Sequence, residues 1–83
     1  MLDKQTAEHM NDPQVGDRFH EMYTFWLEVI ERDFDSVTIR EDRGDDSHPE
    51  RTFFTLEQFQ QAYAYKTPGL GYWITYYPET SDA

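Results

Sequence analysis

The polar segment 41–49, together with Glu50, holds the side chains best suited to binding a metal ion. Four carboxylates and an imidazole fall within nine residues: Asp42, Asp45, Asp46, His48 and Glu50. Oxygen ligands in this number suit a divalent cation. Their order nevertheless lacks the D-x-D-x-D-G pattern and terminal Glu of an EF-hand loop. The sequence therefore predicts a solvated loop here, with no metal and no cofactor.

Zinc binding and nucleophilic catalysis find even less support. The chain has no cysteine, and its three histidines lack the H-x-x-x-H-type spacing of a zinc site. Ser36, Ser47 and Ser81 stand in turn, loop and tail contexts without a nucleophile elbow. No buried carboxylate can be singled out as one member of a catalytic pair. We predict that the protein is not an enzyme, and a small enzyme or divalent-metal-binding protein is only the third alternative.

The charge balance disfavours direct binding to nucleic acid. Asp and Glu number 17 against 7 Lys and Arg, which gives a formal charge of −10. Every arginine has an Asp or Glu within two residues: Arg18, Arg32, Arg40, Arg43 and Arg51. Attraction to phosphate groups is therefore weak in ordinary salt. The reverse idea, an acidic DNA mimic that inhibits a nucleic-acid-binding protein, is the first alternative function.

Aromatic side chains are the strongest binding candidates. Six Phe, six Tyr and two Trp are more rings than one small core can bury completely. Tyr and Trp that remain at a surface are typical anchors of protein interfaces. The candidate binding residues are Trp26, Tyr65, Tyr72, Trp73, Tyr76 and Tyr77. They predict a protein- or peptide-interaction domain whose partner is basic or proline-rich, although core packing is the favoured alternative for both tryptophans.

The length and the chain ends predict a single domain with two tails. Residues 1–14 carry no periodic apolar pattern, and residues 79–83 are small and polar. We therefore expect flexible tails over 1–14 and 79–83, and one folded domain over 15–78. No apolar run is long enough to span a membrane, and the N-terminus has no apolar signal region. We accordingly expect a cytoplasmic protein.

The stretch 19–30 is compatible with a helix or with a strand. Apolar residues recur at helical spacing, but its Thr, Phe, Trp, Val and Ile residues suit a pleated sheet. The run Val37-Thr38-Ile39-Arg40 follows after a short turn-rich link, which is the pattern of a β-hairpin. We favour the strand, with Tyr23, Phe25, Leu27 and Val29 on one face.

The second half of the chain predicts a strand, a helix and a last strand. A strand over 51–55 precedes Thr55-Leu56-Glu57-Gln58, which has the form of a helix capping box. Helical spacing then predicts a helix over 56–64, a type II turn over 67–70 and a strand over 71–77. The predicted fold is mainly β (α+β), a small five-stranded antiparallel barrel-like sheet with one short helix before the last strand.

Several segments in this order resemble known proteins. They are Val15-Gly16-Asp17-Arg18-Phe19, Phe25-Trp26-Leu27-Glu28-Val29, Val37-Thr38-Ile39, Thr55-Leu56-Glu57-Gln58-Phe59 and Gly71-Tyr72-Trp73-Ile74. Together they resemble short uncharacterised acidic proteins of halophilic archaea and, more loosely, SH3-like barrels. The resemblance implies a salt-adapted cytoplasm and transfers no catalytic or binding residue. The presence of only two lysines, Lys4 and Lys66, agrees with it, although an ordinary acidic protein would show the same composition.

Overall fold

Seven short elements form the structure, a computed structural model that describes residues 4–21, 25–44, 47–67 and 69–77. In chain order they are α1 (Lys4–Asn11), β1 (Arg18–His20), β2 (Trp26–Arg32), β3 (Val37–Asp42), β4 (Glu50–Phe53), α2 (Leu56–Tyr63) and β5 (Thr75–Tyr76). Each strand pairs antiparallel with its neighbours in one five-stranded sheet. The prediction of a mainly β fold is confirmed.

The segment whose sequence fitted either a helix or a strand is extended. β2 pairs with β3 over its whole length, and Val29 lies opposite Ile39. Leu27 and Val29 are buried, as the predicted alternation requires, while residues 22–24 lie outside the described residues. The register shifts after Val29, so that Glu31 lies opposite Thr38 and Ile30 is the extra residue of a β-bulge.

The sheet is open rather than closed into a barrel. Its strand order is β4-β3-β2-β1-β5, and no pairing among the described residues joins β4 to β5. One face of the sheet carries the core, which is completed by side chains from both helices and from the segment before β5. The buried hydrophobic residues are Met10, Phe19, Leu27, Val29, Val37, Ile39, Phe53, Phe59, Tyr63 and Ile74.

Helix α2 begins at the predicted cap. Thr55 Oγ1 accepts a hydrogen bond from the Gln58 amide at 3.1 Å. Gln58 Oε1 accepts from the Phe54 amide at 3.1 Å, one residue earlier than in a standard capping box. The helix then places Phe59 and Tyr63 against the sheet, where their rings contact Phe53 edge-on.

The N-terminal residues differ from the expected flexible tail. Residues 4–11 form α1, and Met10 and Pro13 are fully buried. The Tyr76 amide of the edge strand β5 donates to Thr6 Oγ1 at 2.9 Å, and Gln60 Nε2 donates to the Met10 carbonyl at 2.9 Å. Because the helix has one large apolar side chain, its sequence shows no apolar periodicity. Residues 4–13, which the sequence assigned to a tail, are thus part of the packed structure. Residues 79–83 lie outside the described residues.

The predicted last strand is interrupted. Only Thr75 and Tyr76 pair with β1, whereas Tyr72 forms an isolated bridge with Ala64. The interruption follows Gly69 and Gly71, whose positive φ angles of 89° and 87° turn the chain back. The Leu70 amide donates to the Thr67 carbonyl at 3.4 Å, which agrees with the predicted turn. Neither helix in the described part of the chain is long and apolar enough to cross a membrane.

Candidate functional site

The structure separates the six candidate rings into three places. Tyr65 and Tyr72 line a groove beside α1. Trp26 and Tyr77 contact each other on the solvent face of the sheet. Trp73 and Tyr76 pack against the core cluster, as does part of the Tyr72 side chain. The candidates therefore do not form one continuous aromatic patch.

The groove lined by Tyr65 and Tyr72 is here called the tyrosine groove. It has a volume of about 340 Å³ and is lined by Ala7, Ala64, Tyr65, Thr67, Gly69, Gly71 and Tyr72. A backbone hydrogen bond of 2.9 Å from the Tyr65 amide to the Gly71 carbonyl joins the two sides of the short hairpin that builds it, next to the isolated bridge between Ala64 and Tyr72. Four of the lining residues are Ala or Gly. Their small side chains leave space beside the two phenol rings for an extended chain.

The charges around the tyrosine groove differ from those of the whole chain. No carboxylate is among the described residues that line it. Lys66 directly follows Tyr65, and Lys4 lies one helical turn before Ala7 on the same face of α1. Both lysines are exposed. Burial raises the pKa of the Tyr72 hydroxyl, because part of this ring is removed from water. Both lysines of the chain thus lie next to lining residues, and Glu8, which follows Ala7, is the one carboxylate adjacent to a described lining residue.

Trp26 lies at the centre of a packed cluster on the solvent face of the sheet. Its ring meets that of Tyr77 edge-on at 5.1 Å, and the His20 ring lies 5.1 Å away. The Arg18 guanidinium carbon lies 4.8 Å from the Trp26 ring centre, the geometry of a cation–π contact. Trp26 is thus half-buried and already has a cation on its face, so it is neither the core residue that we favoured nor an open anchor.

The charges next to this cluster alternate in sign across the strands. Arg18 lies opposite Glu28, Glu28 opposite Arg40, and Arg40 opposite Glu50. Opposite charges in such cross-strand pairs stabilise a sheet modestly. A cavity of about 370 Å³ beside them is lined by residues of both signs. This face is therefore neither uniformly acidic, as a DNA mimic requires, nor basic.

Tyr76 and Trp73 pack against other side chains of the fold. The Tyr76 ring stacks on that of His9 with centres 3.6 Å apart and planes 6° apart. His9 Nδ1 donates in turn to Asp17 Oδ2 at 2.8 Å. The Trp73 ring lies 5.3 Å from that of Tyr63. Tyr76 therefore fixes α1 to the sheet, and Trp73 covers one end of the core without being fully buried.

The acidic loop shows no metal centre in the residues that can be described. No group of three or more His, Cys, Asp or Glu side chains is placed to hold an ion in that part of the chain. Asp42 Oδ1 accepts from the Gly44 amide at 3.0 Å, which is a local turn contact. Asp45 and Asp46 lie outside the described residues.

Sequence reasoning missed two exposed phenylalanines. Phe34 exposes 93% of its surface and Phe54 exposes 75%. The alternation along β4 contains the signal for Phe54, because Phe53 faces the core and its successor must face away. Phe34 stands between two aspartates in a four-residue turn, where a large apolar side chain has no core to enter.

Comparisons with known proteins give this chain no relatives. No protein-family model matches it, and neither the curated proteins nor the solved structures compared with it yield a match. The resemblance to short proteins of halophilic archaea and to SH3-like barrels therefore stays a prediction.

Proposed function

We propose that this protein is a non-enzymatic binding domain that holds a proline-rich peptide in the tyrosine groove. The observation that carries the proposal is the convergence of Tyr65 and Tyr72 on a groove whose other walls are mostly Ala and Gly. Proline-rich segments adopt the extended polyproline II conformation and dock in aromatic-lined grooves of this kind. Tyr65 is exposed and ready to contact such a segment.

Local charge favours a proline-rich partner over a basic one at this groove. A basic peptide would meet Lys4 and Lys66 beside the groove, against the single carboxylate of Glu8 next to Ala7 and none among the described lining residues. Proline rings need no charge complementarity, because they pack on the faces of tyrosine rings. The polyproline II conformation is also formed in advance, so binding costs little conformational entropy.

The composition supports a second part of the proposal, which is that the protein works in a salt-adapted cytoplasm. Its formal charge is −10, and only two of its seven basic residues are lysines. Salt at about 1 M shortens the Debye length to about 3 Å and so weakens repulsion between surface carboxylates. Such a surface favours solubility in salt and opposes compactness in dilute buffer.

A titration of the ¹⁵N-labelled chain with decaproline tests the peptide-binding proposal. We expect saturable amide shifts over 64–72 and at Ala7. Affinity should fall about tenfold in Tyr65→Ala and in Tyr72→Ala, because each removes an aromatic anchor of the interface. Tyr77→Ala on the solvent face of the sheet is the matched control and should bind as the parent chain does. Shifts that do not saturate at millimolar peptide, or equal losses in all three variants, would contradict the proposal.

A further inference from the structure

Two exposed phenylalanines border one junction at an end of the sheet. Phe34 lies in the turn between β2 and β3, and Phe54 directly follows β4. The Leu56 amide donates to Asp35 Oδ1 at 3.3 Å, which ties that turn to the start of α2. Phe34 is one residue from the acceptor and Phe54 is two residues from the donor. We call this region the phenylalanine end.

The turn that carries Phe34 is held by several hydrogen bonds. The Arg32 guanidinium donates to the carbonyl oxygens of Asp33 and Phe34, and it pairs with Asp12 Oδ1 at 3.2 Å. The Phe34 amide donates to Asp33 Oδ1 at 2.8 Å, and the Asp33 amide donates to the Ser36 carbonyl at 3.0 Å. Phe34 is therefore presented on an ordered backbone, so a partner that covers it has little chain entropy to overcome.

Within residues 31–36 and 54–57, which make up the phenylalanine end, four of the five charged side chains are negative. The nearby Arg51 guanidinium lies over the Phe53 ring. The carboxylates of the phenylalanine end belong to Glu31, Asp33, Asp35 and Glu57, all exposed residues. Arg32 is the nearest cation in sequence to Phe34, and its guanidinium is engaged by the turn carbonyls and Asp12. Exposed apolar rings inside an acidic rim favour a partner that brings both apolar and positively charged side chains.

We propose that the phenylalanine end is a second docking surface, which binds a basic partner segment whose apolar side chains pack on Phe34 and Phe54. A second copy of the chain is disfavoured as the occupant, because it would bring the same carboxylates against this acidic rim. The surface is separate from the tyrosine groove. The eight residues of α2, about 12 Å of helix, lie between Phe54 at one end and Ala64 at the other.

The test uses two synthetic peptides and the full ¹⁵N-labelled chain. One peptide has twelve residues that alternate Lys and Leu, and the other replaces every Lys with Glu. At the lowest NaCl concentration that keeps the chain folded, the Lys–Leu peptide should shift amides over 31–36 and 53–57 saturably. The Glu–Leu peptide should leave them in place. Phe34→Ser and Phe54→Ser should each weaken the Lys–Leu complex about tenfold, which corresponds to about 1.4 kcal/mol.

Controls separate this surface from its competitors. Leu70→Ser replaces an exposed apolar residue in the hairpin of the tyrosine groove, and it should leave affinity for the Lys–Leu peptide unchanged. Equal binding of the Glu–Leu peptide, or full affinity in both Phe variants, would overturn the proposal. Self-association in sedimentation that Phe34→Ser abolishes would also overturn it, in favour of a second copy. Decaproline binding is measured at the amides of 64–72 and Ala7, and Lys–Leu binding at those of 31–36 and 53–57. Either of the two binding proposals can therefore fail while the other holds.

Discussion

Tyr63 is a buried side chain whose hydroxyl group has no hydrogen-bond partner among the described residues. Burial raises the pKa of this hydroxyl well above its ordinary value, and the carboxylate of Glu41 adds to the effect. Glu41 is itself buried, and its Oε1 accepts from Arg43 Nε at 3.0 Å and from Arg43 Nη2 at 2.8 Å. A carboxylate and a phenol are therefore both buried, and the charge of Glu41 acts on the Tyr63 hydroxyl.

The raised pKa of Tyr63 predicts a loss of stability at high pH. Above about pH 10 the unfolded chain releases this proton while the folded protein keeps it, so the free energy of unfolding falls as pH rises. Tyr63→Phe removes this contribution, and its stability should fall less steeply, by up to about 1.4 kcal/mol per pH unit. Urea unfolding of both proteins between pH 8 and pH 11 measures the difference.

The comparison at pH 8 is the control for that prediction. There both side chains are neutral, and Phe leaves no unpaired hydroxyl in the core. Tyr63→Phe should therefore match or slightly exceed the parent stability at this pH. If the free energies of unfolding of the two proteins ran parallel across the whole pH range, Tyr63 would ionise alike in the folded and unfolded chains. That result would contradict the raised pKa of Tyr63.

The sequence could not predict which individual aromatic side chains of the candidate site are exposed. Alternation along β2 correctly placed Leu27 and Val29 on one face of the strand and Trp26 on the other. The surroundings of Trp26 come from Arg18 and Tyr77, which meet it only after the strand register is fixed. Tyr65 and Tyr72 were predicted as candidates individually, but their convergence depends on an interrupted last strand that the sequence presented as continuous.

At the scale of elements, prediction succeeded where local chemistry and tertiary packing agree. The capping residues of α2 and the β-branched run of β3 each predict the element that forms. α1 was missed because its docking uses the Met10 side chain, the Thr6 hydroxyl and the His9 ring, which together produce no apolar periodicity. This helix contributes to the fold by covering β5, an edge strand that would otherwise expose unpaired backbone groups.

Thr6→Val tests whether α1 is fastened through that edge. The change keeps the side-chain shape but removes the acceptor of the Tyr76 amide at a position that is only 2% exposed. An unpaired buried amide costs about 1–3 kcal/mol, so we expect a loss of that size in urea unfolding. Hydrogen exchange at Tyr76 should also become faster.

Thr52→Val is the matched control for that prediction. It removes a hydroxyl that pairs with Thr38 Oγ1 at 2.9 Å on the exposed side of β4. Water can replace this contact, so stability should change by less than about 0.5 kcal/mol. Equal effects of the two substitutions would show that the Thr6 hydroxyl has no special role in holding α1.

At the scale of the whole molecule, net charge opposes the compact state. The formal charge of −10 is spread over 83 residues, and several arginines are already paired with nearby acids. Several other carboxylates of the described residues accept hydrogen bonds from neutral amide groups, which leave their negative charge uncompensated. Repulsion among them acts over the Debye length, which is about 10 Å at 0.1 M salt and about 3 Å at 1 M.

Salt should therefore stabilise this protein strongly. We expect the near-UV circular dichroism of its aromatic core to strengthen between 0.1 M and about 2 M NaCl, with the urea midpoint rising in parallel. Replacing the exposed Glu8, Glu31 and Glu57 with Gln should lower the NaCl concentration needed for folding, because fewer charges must be screened. Choline chloride at equal ionic strength separates screening from a specific effect of sodium. A chain that folds fully in dilute buffer, with a urea midpoint indifferent to NaCl, would contradict salt adaptation while leaving both docking proposals open to their own tests.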